Sequence, residues 1–212
     1  MNLNPTHILW DNDGVLVDTE PVFYEVTQRA LRRIGIEFPV EAYHALMTSG
    51  GSVWDMEEVV QLGTEAVSIH RRRRDDDYLD SLKTAPIDIA GVEPLIEALA
   101  AQYTMAIVTQ SSPEAFEVIH RPRNITRHME FALRNGDFPR GKPAPDPYLT
   151  ALERFGISPD RAIVVEDSAR GLRAAQAAGI RCVVVKSRFT RTQDFSGATA
   201  IIDSLDQLPE IL

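Results

Sequence analysis

His7-Ile8-Leu9-Trp10-Asp11-Asn12-Asp13-Gly14-Val15-Leu16-Val17-Asp18-Thr19 is the stretch on which the fold turns. Its first four residues are a short run without strong charge, and a run of that length ahead of turn residues predicts a brief buried strand. Two carboxylates follow at once, two positions apart, with Gly14 behind them. A glycine lets the chain turn tightly and lets a ligand approach the backbone, so Asp11 and Asp13 can face one crevice beyond the strand end. There one carboxylate can act as a nucleophile while the other manages a proton. A calcium-binding loop is the rival, but its glycine stands sixth and further oxygen ligands follow it. Here the glycine stands fourth and Val15-Leu16-Val17 follows. Taken alone, the segment also reads as an acidic turn after a strand.

Four more apolar runs lie further along: Met105–Val108, Ala162–Val165, Cys182–Val185 and Ala200–Ile202. Their residues do not alternate in polarity, which points to parallel strands covered on both faces. The segments between them carry helix-end signals. Ser112-Pro113-Glu114 offers an N-cap, a proline in the first turn and a favourable acid. Asp146-Pro147 repeats that pattern, and Gly156 can end the same helix. Ser168 can cap a helix running through Ala174 and Ala175 to a stop at Gly179. Strand and helix in alternation predict an α/β fold with a doubly wound, Rossmann-like parallel-sheet core.

From about Thr19 to Thr84 the alternation stops. Thr19–Ile34, Asp55–Leu62 and Glu65–Leu82 are patterned as helices, with no strand between them. The expected organisation is a small all-α cap domain, residues 18–85, inserted after the first strand of a core made of residues 1–17 and 86–212. Pro86 and Gly91 mark the returning linker. Arg71-Arg72-Arg73-Arg74-Asp75-Asp76-Asp77 is read as a solvated helix face with ion pairs along the helix.

The 212 residues carry a net charge of -9, which disfavours the polyanionic surfaces of nucleic acids and membranes. The single cysteine, Cys182, permits no internal disulfide and fits a reducing compartment. Neither a secretory signal nor an apolar run of bilayer length is legible, so the expectation is a soluble cytoplasmic protein. His44, His70, His120 and His128 lack metal-ligand spacing and are read as surface or packing residues.

Three further segments carry chemistry. Thr109-Gln110-Ser111-Ser112 ends a strand with a hydroxyl and successive backbone N–H groups, which can hold phosphate oxygens or merely cap a helix. Lys142, between Gly141 and Pro143, sits in a loop whose neighbours constrain its ammonium; the plain alternative is an exposed loop lysine. Glu166-Asp167 ends another strand, and paired acids there suit Mg2+, a hard cation bound through few carboxylates. They equally suit a helix N-terminus. All four segments, however, fall at strand ends or in loops able to face one crevice.

Together they resemble the haloacid dehalogenase-like hydrolase superfamily. The matching motifs are Asp-x-Asp-Gly-Val-Leu-Val-Asp-Thr from Asp11, Thr109, Gly-Lys-Pro-Ala-Pro-Asp-Pro from Gly141, and Glu-Asp-Ser-x-x-Gly from Glu166. Within it the chain is similar to the branch of β-phosphoglucomutase and small sugar-phosphate phosphatases. The resemblance implies that Asp11 forms an aspartyl-phosphate and that Asp13 is the general acid and base. It gives Thr109 and Lys142 the phosphate, with help from Gly14, Gln110 and Ser111. It implies Mg2+ on Asp11, the carbonyl of Asp13 and Asp167, with Glu166 assisting directly or through water. Glu20, Gly50 and Gly51 would meet the rest of a small phosphorylated metabolite.

Asp13 argues against dehalogenation, because dehalogenases of the superfamily typically lack that acid. A mutase is the closer alternative. Its cap uses a histidine where this chain has Phe23, and basic residues where the loop reads Met47-Thr48-Ser49-Gly50-Gly51-Ser52-Val53-Trp54. The expected activity is therefore phosphate-monoester hydrolysis by a monomer. An inactive phosphate-binding regulator is a third reading. Asn12, where the family often has an apolar residue, and the basic stretch His120–Asn135 depart from the pattern.

Overall fold

The computed structural model describes residues 5–49 and 51–212, with Ser49 described by its backbone alone. Gly50 and the first four residues lie outside the described residues. The chain divides into two compact units, one of Met1–Asp18 with Ile87–Leu212 and one of Thr19–Pro86.

The first strand, β1 (His7–Trp10), is followed in the chain by the helices of the second unit: α1 (Glu20–Arg32), α2 (Val40–Ser49), α3 (Glu57–Val60) and α4 (Thr64–Leu82). The first unit resumes with α5 (Val92–Ala100), β2 (Thr104–Val108), α6 (Pro113–His120), β3 (Phe131–Leu133) and α7 (Asp146–Phe155). It closes with β4 (Ala162–Glu166), α8 (Ala169–Ala177), β5 (Arg181–Val185) and β6 (Ala200–Ile202).

The six strands form one parallel sheet in the order β3-β2-β1-β4-β5-β6. Strand order reverses between β1 and β4, and the crevice beyond such a reversal is where doubly wound sheets bind ligands. Both faces are covered. Leu9, Val164 and Val184 pack with Tyr148, Leu152 and Leu172 of α7 and α8. Ile8, Trp10, Ile107 and Val165 pack on the other side with Ile96 of α5 and Phe116 of α6. This explains why the strands read as continuous apolar runs.

Several expectations are corrected. The basic stretch His120–Asn135 contains a sixth strand, β3, whose three residues were too few to show a pattern. Three of its arginines are engaged: Arg123 with Asp88 at 2.7 Å, Arg127 with Glu97 at 3.7 Å and Arg134 with Glu117 at 3.7 Å. Asp146 does not cap α7. Arg140 holds its carboxylate at 3.0 and 2.9 Å, and Pro145 takes the cap position. The helix expected over Asp55–Leu62 is a 3₁₀ turn, Val53–Asp55, followed by the single turn of α3. Ser112, Gly156 and Ser168 stand where their signals placed them, Ser112 and Ser168 each accepting a backbone N–H and Gly156 at φ 68.

In the helical unit α1 packs against α4. Arg74 is not part of a solvated face. It is buried, its guanidinium 4.5 Å from the Phe23 ring centroid and 5.6 Å from that of Trp54, with Thr27 and Asp75 as hydrogen-bond acceptors. Asp77 pairs with Arg33 of the α1 C-terminal turn at 2.6 Å rather than along its own helix. Packing between two helices outcompetes the weak ion pairs of a single one.

Candidate active site

Asp11 leaves β1 with its backbone N–H on the carbonyl of Val165, 2.9 Å away, which ties the end of β1 to β4. Its side chain is buried. The ammonium of Lys142, also buried, donates to Asp11 Oδ1 at 2.7 Å, Glu166 Oε1 at 2.7 Å and the Val108 carbonyl at 2.9 Å. Three acceptors use all three of its protons. Lys142 is thus the opposite of an exposed loop lysine.

Glu166 is fully buried and saturated. Its Oε1 accepts from Lys142 and from the Tyr148 hydroxyl at 2.8 Å. Its Oε2 accepts from the backbone of Asp167 and Ser168, at 3.2 and 3.3 Å, and from the Ser168 hydroxyl at 3.0 Å. Sequence reasoning missed Tyr148, because nothing in the motif marks a tyrosine as a partner of an acid eighteen residues on. It quoted Gly171 without a role. A Cβ there would fall 1.8 Å from Glu166 Oε1, so this glycine makes the room the carboxylate occupies.

Asp13 is half-buried. Its Oδ2 accepts from the Ser111 hydroxyl at 2.5 Å and from the Thr109 hydroxyl at 3.2 Å. Thr109 Oγ1 also accepts the Ser111 N–H at 3.0 Å. Ser111 was expected to offer its backbone, and here its hydroxyl engages the second acid as well. Gly14 has φ 81, and a Cβ on it would lie 2.2 Å from Asp167 Oδ2. The close approach it permits is therefore that of Asp167. Gln110 packs its amide against Gly141, where a Cβ would fall 2.0 Å from Nε2.

Among the described residues, Asp11, Glu166 and Asp167 bring ligand atoms within 4.8 Å of one another. Burial, and then the charge of Glu166, raise the Asp11 carboxyl to about 7 against the pull of Lys142. Burial opposes charge on Lys142 and on Glu166 too. Asp11 and Glu166 nevertheless hold the Lys142 ammonium above its usual value, and Lys142 holds Glu166 below the usual carboxylate range. Two carboxylates thus flank one ammonium, with Asp167 beside them, and the excess negative charge and all-oxygen donor set fit a hard dication such as Mg2+. Asp11, Glu166 and Asp167 are the residues whose carboxylates could hold it.

Of the residues expected to meet the substrate from the helical unit, Glu20 accepts from the Tyr43 hydroxyl. Gly51 donates its N–H to the Leu46 carbonyl at 3.1 Å. Asn12, the departure from the family pattern, is fully buried, and the histidine it meets is His120.

The fold brings an aspartate pair, a buried lysine and an acidic cluster together at the carboxyl end of a parallel sheet, an arrangement of the hydrolase class. The family described as haloacid dehalogenase-like hydrolase matches residues 8–185, and the chain belongs to it. Its activity class is phosphoric monoester hydrolysis. It is 31% identical to protein CbbY of Cereibacter sphaeroides, over 95% of this chain and 93% of that one. It is 25% identical to the fructose-1-phosphate phosphatase YqaB of Escherichia coli K12, over 84% and 95%. The structure of a single-residue mutant of CbbY from Rhodobacter sphaeroides in complex with xylulose-(1,5)bisphosphate superposes with a TM-score of 0.81, at 26% identity and 96% coverage of both chains. No described helix is long and apolar enough to cross a membrane.

Proposed function

We propose that the protein is a Mg2+-dependent phosphatase that hydrolyses a small sugar phosphate through an aspartyl-phosphate on Asp11. The observation that carries this reading is the Lys142 ammonium, 2.7 Å from Asp11 Oδ1, beside an Asp13 held by two hydroxyls. A carboxylate oxygen of Asp11 attacks phosphorus, the ester P–O bond breaks, and Asp13 gives its proton to the leaving oxygen. Asp13 then takes a proton from water, which attacks the aspartyl-phosphate and releases phosphate and a free Asp11. Lys142 offsets charge on Asp11 and on the transferring group, and Glu166 keeps Lys142 charged and aimed. Thr109, with Gln110 and Ser111, holds phosphate oxygens. Asp11, Asp167 and the Asp13 carbonyl would hold Mg2+, which would supply positive charge to keep Asp11 ionised and to offset charge on the phosphoryl oxygens.

Phosphorylated sugars are the favoured substrates, because the relatives include a fructose-1-phosphate phosphatase and a phosphorylated carbohydrates phosphatase of Thermotoga maritima. Hydrolysis is favoured over a mutase. Phe23 stands where a mutase carries a histidine, and its ring meets Tyr78 and Arg74 at 5.2 and 4.5 Å, with no proton to exchange. We assign the protein to the cytoplasm and take the monomer as its working unit.

The test is phosphate release from a panel of sugar phosphates and from p-nitrophenyl phosphate, with Mg2+ and then with EDTA. Release that needs Mg2+ and fails in Asp167→Ala supports the reading. Full turnover in thoroughly chelated enzyme rejects the metal, and no turnover of any ester rejects the phosphatase.

A further inference from the structure

Asn12 lies between the two acids of the site and is fully buried. Its carbonyl accepts the N–H groups of Val15, Leu16 and Val17 at 3.3, 2.8 and 3.1 Å, so this one peptide unit organises the turn behind Asp13. Its side-chain Oδ1 accepts from His120 Nε2 at 2.7 Å. His120 is the last residue of α6, is buried, and tilts over Phe116 with ring centroids 4.5 Å apart.

The same helix reaches the loop from its other end. Ser112 caps α6, accepting the Ala115 N–H at 3.2 Å, and Ser111 just before it donates to Asp13 at 2.5 Å. Helix α6 therefore brackets the loop. Its entry holds Asp13, and its last side chain holds Asn12.

Stability does not explain the polar pair. Asn12 Nδ2 and His120 Nδ1 are buried and make no hydrogen bond among the described residues. Leaving a buried donor unpaired costs its full desolvation, whereas two apolar residues of similar shape would be nearly neutral or stabilising. What the pair adds is direction. A hydrogen bond constrains the orientation of an amide in a way that apolar contact does not.

We propose that His120 is a positioning residue for the reaction: through Asn12 it sets the orientation of the loop that carries Asp11 and Asp13. This rests on the phosphatase reading above, and goes beyond it by giving α6 a part in aligning the acids.

The experiment compares wild type, His120→Leu, His120→Gln and the double variant Asn12→Leu/His120→Leu. Each is measured for kcat and KM on p-nitrophenyl phosphate at saturating Mg2+, and for Tm. Misplacing reacting groups by about 1 Å can cost on the order of 10²-fold, so His120→Leu should lose roughly 10- to 100-fold in kcat. Its KM should stay within about two-fold, since ground-state binding is untouched. His120→Gln keeps an N–H donor and should recover most of that loss. The double variant should recover Tm but not kcat, and it carries the test if His120→Leu does not fold. Unchanged kcat in His120→Leu, no recovery in a folded His120→Gln, or kcat restored together with Tm in the double variant would each overturn the proposal. Wild-type turnover is the control that separates the two readings. An inactive wild type sinks the phosphatase and the positioning role with it, whereas an active one with an equally active His120→Leu sinks the positioning role alone.

Discussion

Gly171 lies so close to Glu166 that a single methyl group on it would occupy the space of the carboxylate, 1.8 Å from Oε1 and 1.9 Å from the carboxyl carbon. Because Glu166 in turn holds Lys142, and Lys142 holds Asp11, a helix position outside this chain of contacts bears on Asp11. Gly171→Ala should therefore displace Glu166. Overpacking of this kind costs about 1–3 kcal/mol, and kcat should fall together with Tm. Thermal melts and p-nitrophenyl phosphate kinetics read both, and wild-type values in the alanine variant would mean that Glu166 has room elsewhere.

The acids at the end of β1 divide the work in a way that mutation can separate. Asp11→Asn should leave the fold intact and abolish turnover, because an amide cannot form the aspartyl-phosphate. Asp13→Asn should retain a slow reaction, reduced by the roughly 10²–10⁴-fold that general acid–base catalysis contributes. Phosphate release from the two purified variants decides it. Near-wild-type rates in Asp11→Asn would remove the covalent step.

His120 gives the folded protein a signature on the acid side. Burial, and then the charge of Arg123, depress its pKa from 6.5 to about 4 against the opposing charge of Asp13. The unfolded chain thus takes up this proton before the folded one does. The contribution of His120 to stability is complete above about pH 6.5 and is lost as pH falls towards 4. Chemical denaturation of wild type and His120→Gln across that window should show the wild type losing more stability on acidification, by roughly 2–3 kcal/mol at about 1.4 per pKa unit. Parallel curves would place the neutral imidazole in doubt.

Selectivity should separate from chemistry. If Lys142 and Thr109 capture phosphate as proposed, that step is common to every ester, and discrimination among substrates is expected from other residues, Glu20 and Ser52 among them. Glu20→Gln and Ser52→Ala should reorder kcat/KM across sugar phosphates while sparing p-nitrophenyl phosphate, which draws little on remote binding energy. Lys142→Ala should depress all substrates together. A uniform loss in the first two variants, as deep as that of Lys142→Ala, would contradict the division.

Much of this was legible in the residue order. Continuous apolar runs ending in Asp11, Thr109 and Glu166-Asp167 determined by themselves a parallel sheet with chemistry at its strand ends, since a strand covered on both faces has no polar side to show. Local signals likewise sufficed for the caps at Ser112 and Ser168, because a cap is a bond between near neighbours. Short β3 was not legible, as three residues hold too little periodicity. Arg74 was misread because its partners, Phe23 and Trp54, are remote in sequence. The same holds for Tyr148 on Glu166, Ser111 on Asp13 and His120 on Asn12. Each joins residues from separate elements, and only the packing of those elements brings such groups within hydrogen-bond reach. The sequence on its own determined which chemically able groups stand at the strand ends. The tertiary structure decided which of them are buried, what each one holds, and hence which carry charge.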